Sequence, residues 1–156
     1  MAAGDTTKTL QDSAECWSCP LLSGARRISP GPFIHEGRYW VVDHAYPPRL
    51  PGWLVLTRHA EALHDPSAEE MTEMGDLIWR SCLVLRAVTG CQKECVSLYA
   101  ESLHCAHLHV HIVPRVATLP DNLRGPRAFG LPTAEGAVPP EEIRALSGEL
   151  RDCFPM

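Results

Sequence analysis

No apolar run in these 156 residues approaches the roughly 18 that a membrane helix requires. Residues 1–15 (MAAGDTTKTLQDSAE) also lack the apolar stretch of a secretory signal. The expectation is a cytoplasmic protein with no membrane partner. Long basic runs are missing as well. The formal charge of −5 at pH 7 comes from 14 basic against 19 acidic residues, and no cluster is suited to displacing counterions from a polyanion. Long nucleic acids are therefore excluded as expected partners, while a small nucleotide held at a local site is compatible with this charge. Neither an internal repeat nor a low-complexity tract is present.

What is present is the balance of an ordinary globular protein, 45% hydrophobic and 21% charged. The length predicts a single domain over residues 16–156, preceded by a mobile polar leader over residues 1–15. Seven cysteines without a secretory signal read as thiols or metal ligands rather than a disulfide framework. Cys82, Cys91, Cys95, Cys105 and Cys153 stand singly among apolar neighbours and read as small buried side chains. Cys16 and Cys19 alone have ligand spacing, with a disulfide between them as the alternative.

Along the chain, Phe33 to Glu36 and Arg38 to His44, joined through Gly37, predict a hairpin of aromatic and β-branched strands. Trp53 to Thr57 predicts a third strand. Ser67 and Glu70 form a capping-box pattern ahead of Met71, Met74, Ile78, Cys82, Leu85 and Val88, which predicts a long helix from Ala68 to Val88 ending near Gly90. Glu69, Glu70 and Glu73 read as its solvated face, and His35, His44 and His64 as structural residues. Strands are expected at Cys95 to Glu101 and at His107 to Val113, the latter ended by Pro114. Half of the 14 prolines lie from Pro114 onward, so residues 117–140 should be largely loop before a short helix from Glu141 to Cys153. The order β, β, β, α, β, β, α does not alternate as a doubly wound sheet requires. It predicts an α+β fold with an antiparallel sheet of about five strands, one long helix and one short one.

His107, His109 and His111 alternate with Leu108, Val110 and Ile112. On a strand this alternation turns the imidazoles to one face and the aliphatic groups to the core, with imidazole positions about 6.5 to 7 Å apart. Two chemistries fit such a face. A neutral imidazole can attack phosphorus while its neighbour stabilises phosphate charge. Alternatively, a His-x-His pair can chelate a zinc ion that activates water. Spacing does not choose between them.

The run from His107 to Val113, followed by Pro114 and Arg115, resembles the histidine-triad (HIT) signature at every position. Pro51 to His59 is similar to the family's glycine, apolar strand, basic residue and histidine. Asp43 stands where the family has its ribose-contacting aspartate, and Cys16 and Cys19 resemble the leading Cys-x-x-Cys of its zinc-binding, bacterial-type members. The matched segments span Cys16 to about Gly130. Two departures stand out: Trp53 replaces a histidine common after the glycine, and Glu101 to Ala106 replaces a Gly-Gln-Ser or similar polar run.

The resemblance implies a nucleotide hydrolase acting at the α-phosphate of a dinucleoside polyphosphate or nucleoside phosphoramidate through a nucleotidyl-histidine intermediate. His109 is then the nucleophile, its ring held by the His107 carbonyl, and His111 supports the phosphate oxygens. Asp43, Glu101 and Ser102 are the implied substrate contacts. His104, close in sequence to the histidine strand, is a further candidate on its own account, as a leaving-group acid or as an alternative metal ligand. A structural zinc would be held by Cys16, Cys19, His59 and His107. Four such ligands leave no position for catalytic water, so the resemblance favours the imidazole nucleophile. A homodimer is implied too. Two alternatives remain: a nucleotidylyltransferase using the same intermediate, and a zinc-stabilised nucleotide-binding module whose catalytic step has decayed.

Overall fold

Five antiparallel strands form one sheet in the order β1-β2-β3-β5-β4: β1 (His35–Glu36), β2 (Val41–His44), β3 (Leu54–Thr57), β4 (Lys93–Tyr99) and β5 (His109–Arg115). They are joined by helices α1 (Ser18–Leu22), α2 (Ala68–Thr89) and α3 (Pro140–Asp152). The computed structural model describes residues 16–47, 50–101, 105–130 and 138–156. The expected leader over residues 1–15, Ser102, His104 and residues 131–137 of the expected loop lie outside the described residues. The α+β antiparallel architecture is the one the element order predicts. Among the described residues, no helix is long and apolar enough to cross a membrane.

The core lies under one face of the sheet. Leu108, Val110 and Ile112 are fully buried there with Val42, Leu54 and Leu56, against Leu77, Val84 and Leu85 of α2 and Leu150 of α3. Both halves of the capping box are made, Ser67 accepting from the Glu70 N–H while Glu70 accepts from the Ser67 N–H. At the other end Gly90 takes φ of 67°, a left-handed cap that favours glycine. The helix thus starts and stops where the sequence says it should.

Several expectations need correction, beyond shifts of a few residues in the strand bounds. Pro114 does not end its strand; it lies within β5 opposite Glu94. Gln92 N–H donates to the Arg115 carbonyl, so Arg115 faces β4 and Pro114 faces the other way. There β3 pairs no further than Ile112, and the missing donor costs no ladder bond. His107 and Leu108 precede the strand, held by Leu108 N–H to the Ala60 carbonyl at 2.7 Å. The expected loop contains two short 3-10 turns, Asp121–Leu123 and Gly125–Gly130.

The acidic face of α2 also needs correction. Glu73 accepts from the backbone N–H groups of Arg38, Tyr39 and Trp40, at 2.7 Å for Tyr39. Its carboxylate thereby closes the β1–β2 turn onto the helix and satisfies three donors that the tight turn leaves without strand partners. Glu70 also pairs with Arg58, and Glu69 accepts from the Tyr39 hydroxyl at 3.0 Å. A helical period records which residues face the core, but not which turn folds back over the solvent side.

Candidate functional site

The face of the sheet opposite the core carries a cleft of about 450 Å³ lined in part by His109, His111, Tyr99, Asp43 and Glu101. His109 and His111 project from β5 with ring centroids 5.1 Å apart and planes at 87°. The strand period puts them side by side, as the alternation predicts.

His109 Nδ1 lies 2.8 Å from the His107 carbonyl oxygen. A carbonyl can only accept, so Nδ1 carries the proton and a neutral ring keeps its lone pair on Nε2. Burial holds His109 below the ordinary imidazole value of 6.5, with the hydrogen bond to His107 pulling the other way. The ring is therefore neutral at pH 7, with a basic nitrogen on its side away from the carbonyl. Beside it, Trp53 Nε1–H donates to His111 Nδ1 at 2.9 Å.

Two aromatic walls were not anticipated from the sequence. Tyr99 pairs in register with His109 across β4 and β5, and its ring centroid lies 6.1 Å from His109 and 6.0 Å from His111. Phe129, from the second 3-10 turn, stands edge-on to His111 at 5.3 Å and to Trp53 at 4.9 Å. Antiparallel pairing and strand alternation would have placed Tyr99 had the register been known. Phe129 had no such signal, since an irregular turn carries no period.

Asp43 lines the cleft, and Arg27 grips it through both oxygens at 2.9 and 3.0 Å. The guanidinium also donates to the Gly31 carbonyl at 2.6 Å and lies 3.8 Å above the Phe33 ring centroid. Burial pushes the Asp43 carboxyl up to about 6, against the pull of Arg27 and of the His44 N–H. His44, read as structural, is fully buried: its Nδ1 donates to the Ala45 carbonyl at 2.9 Å and its Nε2 accepts from Gly52 N–H at 3.0 Å. It clamps the ends of the loop that delivers Trp53. Glu101 is exposed at the cleft, and Ser102 lies outside the described residues.

Cys16, Cys19 and His107 meet behind His109, their candidate ligand atoms all within 4.8 Å of one another. His107 Nδ1 is 3.2 Å from Cys16 Sγ and 3.6 Å from Cys19 Sγ. Tetrahedral zinc bonded to sulfur and nitrogen sets them about 3.5 Å apart, from its ordinary bond lengths. His59 is outside this three-residue cluster, but its ring centroid lies 4.3 Å from that of His107. Burial pushes the Cys16 thiol up, yet hydrogen bonds from the backbone of Cys19, Ala106 and Ser18 and from the Cys19 side chain outweigh it and leave the thiol below its ordinary value. Burial instead raises Cys82 to about 11 and also raises Cys91 and Cys105. Cys16 thus differs from Cys82, Cys91 and Cys105, whose thiols burial holds protonated. Cys153, expected to be a small buried side chain, is exposed, because it caps the end of α3 rather than facing the core.

No protein-family model matches the sequence, and no curated protein does. Solved structures do match. The chain is similar to a hypothetical histidine triad nucleotide-binding protein from Sulfolobus tokodaii, with a TM-score of 0.68 and 17% identity over 88% of this chain and 90% of that one. It is also similar to a zinc-bound histidine triad family protein from Mycobacterium smegmatis, with a TM-score of 0.62 and 18% identity over 88% of this chain and 94% of that one. A histidine triad protein from Sinorhizobium meliloti gives 0.64 and 21% over 79% of this chain and 89% of that one. The fold is the histidine-triad fold. Within it, β5 supplies His109 and His111 to the cleft, and His107, just before the strand, turns toward the cysteine pair.

The Asp43 carboxyl supplies a pH test of this geometry. Its folded value lies above the ordinary 3.8, so folding favours the protonated form, and that contribution is lost as pH rises through about 6. Carbon-13 NMR of the side-chain carboxyl should show a midpoint near 6, and Arg27→Met should move it higher by removing the opposing cation. A midpoint at or below 3.8 would contradict the burial described here.

Proposed function

We propose that the chain is a member of the histidine-triad family and a nucleotide hydrolase that cleaves at the α-phosphate of a dinucleoside polyphosphate or nucleoside phosphoramidate, with His109 as nucleophile. The observation that carries this reading is the hydrogen bond from His109 Nδ1 to the His107 carbonyl, because it commits the Nε2 lone pair to the cleft side of a neutral ring. The Nε2 lone pair attacks the α-phosphorus, and an N–P bond forms as the bond to the leaving group breaks. The leaving group departs with that electron pair and takes a proton from solvent. Water then attacks the same phosphorus and gives up a proton to solvent as the N–P bond breaks, which releases the nucleoside monophosphate and returns the electron pair to Nε2. His111 supports the phosphate oxygens as negative charge grows on them.

Asp43 is the ribose contact in this scheme, its carboxylate oriented by Arg27, and Glu101 and Ser102 are further substrate contacts. Tyr99 and Phe129 supply aromatic surface beside the phosphate position. Transfer of the nucleotidyl group to a phosphate acceptor would use the same intermediate, and a decayed binding module would keep the cleft without the turnover. A homodimer and a cytoplasmic location belong to the same reading; β4 is an outer strand of the sheet, and Val96 on it is 44% exposed.

A zinc ion held by Cys16, Cys19 and His107, with His59 as the fourth ligand, completes the proposal. It fixes the segment before β5 rather than taking part in the reaction. The S···N spacings and the lowered Cys16 thiol support this assignment.

Turnover should be measured with a dinucleoside polyphosphate, a nucleoside phosphoramidate, and a sugar nucleotide with phosphate acceptor. Hydrolysis of one of the first two is expected, and His109→Ala should lower it by at least about 10³-fold, the scale set by loss of a covalent nucleophile. Retained activity in His109→Ala would exclude the assignment, and a wild-type protein that binds nucleotides without turning them over would favour the decayed module. Metal analysis of the purified protein should give about one zinc per chain, and Cys16→Ser should lower both metal content and melting temperature, since ligand binding and folding are coupled. Two freely titrating thiols in a native protein without zinc would remove the metal site from the account.

A further inference from the structure

An indole N–H can donate a hydrogen bond but never accept one. Trp53 Nε1–H points at His111 Nδ1 from 2.9 Å, so that nitrogen must present a lone pair. A neutral imidazole with its lone pair on Nδ1 carries its proton on Nε2. His109 is held in the opposite sense, because its Nδ1 donates to a carbonyl oxygen. We propose that Trp53 is a positioning residue that fixes His111 as the Nε2–H tautomer, so that the cleft presents a bare Nε2 at His109 beside an N–H donor at His111.

The indole is itself held firmly. Trp53 is 1% exposed and meets Phe129 edge-on, with planes at 90°. Its backbone is fixed on both sides: the Trp53 carbonyl accepts from Ala45 N–H at 2.8 Å, and the preceding Gly52 N–H donates to buried His44. In a close-packed setting the ring has no room to turn its N–H away. A histidine at this position could either donate or accept. Tryptophan removes that choice, and the departure from the family pattern at residue 53 thereby acquires a chemical consequence.

The inference rests on the proposed reaction for its catalytic meaning. As His109 attacks phosphorus, negative charge grows on the phosphate oxygens, and a preset N–H donor 5.1 Å away, centroid to centroid, stabilises that charge without having to reorganise. A ring free to exchange tautomers would spend part of its time with a lone pair toward those oxygens, where it repels them.

Nitrogen-15 NMR of the zinc-containing, histidine-labelled protein tests this directly, since two-bond proton–nitrogen couplings distinguish the tautomers of each imidazole. In the wild type His111 should show the Nε2–H pattern and His109 the Nδ1–H pattern. Trp53→Phe keeps an aromatic ring and deletes the donor. It should convert the His111 signal to a mixture of tautomers and lower kcat by about tenfold, with KM changed by less than about twofold, as expected for one lost orienting hydrogen bond. An Nδ1–H pattern at His111 in the wild type would overturn the inference, and this reading does not need the variant to fold. An unchanged His111 tautomer in folded Trp53→Phe would overturn it as well. If the tautomers behave as expected but neither protein turns over any nucleotide, the tautomer assignment stands and the proposed reaction falls.

Discussion

His107 serves two neighbours at once. Its carbonyl accepts the His109 Nδ1 proton, and its ring Nδ1 faces the sulfurs of Cys16 and Cys19. The first contact sets which nitrogen of His109 is basic, and the second ties the segment carrying that carbonyl to the start of the described chain, 91 residues away in sequence. Neither would hold without β5, which pairs with β3 on one side and β4 on the other. A central strand clamped along both edges gives its side chains little freedom, and sites built on such elements are more precise than sites built on loops.

The cleft differs chemically from one end to the other. At the His109 end a neutral, buried imidazole faces Tyr99; at the other a carboxylate raised to about 6 is gripped by Arg27. The rings of Trp53, Phe129 and Tyr99 all approach His111. Low polarity around the histidines strengthens any interaction with phosphate charge. A carboxylate at the far end offers an acceptor to hydroxyl groups. This difference in polarity supports the proposed nucleotide ligand, which has an anionic part and a hydroxylated part.

Most of the fold was legible because it rests on periodicity. The capping box at Ser67, the left-handed glycine at Gly90 and the alternation of His109 and His111 with Val110 and Ile112 each report a local geometry that sequence encodes directly. The triad resemblance added the pairing of Cys16 and Cys19 with His107, which no local rule could provide across so many residues. What escaped was tertiary. Proline lacks a donor and so predicts a strand end at Pro114, but the donor is unnecessary on a side that β3 leaves open. Glu73 looked like solvated helix surface, yet three backbone N–H groups converge on it from a turn. Arg27, Tyr99 and Phe129 entered the site through register and loop path, neither of which leaves a pattern in composition or spacing.

In the proposed reaction an imidazole nitrogen, not a metal-bound hydroxide, attacks phosphorus. Rapid acid-free quenching of the protein during turnover of an α-phosphate-labelled nucleotide, followed by peptide mapping, tests it most directly. The expected product is a nucleoside monophosphate linked to His109 through nitrogen, stable in base and labile in acid. Zinc-bound hydroxide would leave no adduct. Turnover that proceeds at full rate with no label on the protein, stops when the metal is removed from a still-folded chain and resumes when zinc is restored would rule out His109 as the nucleophile.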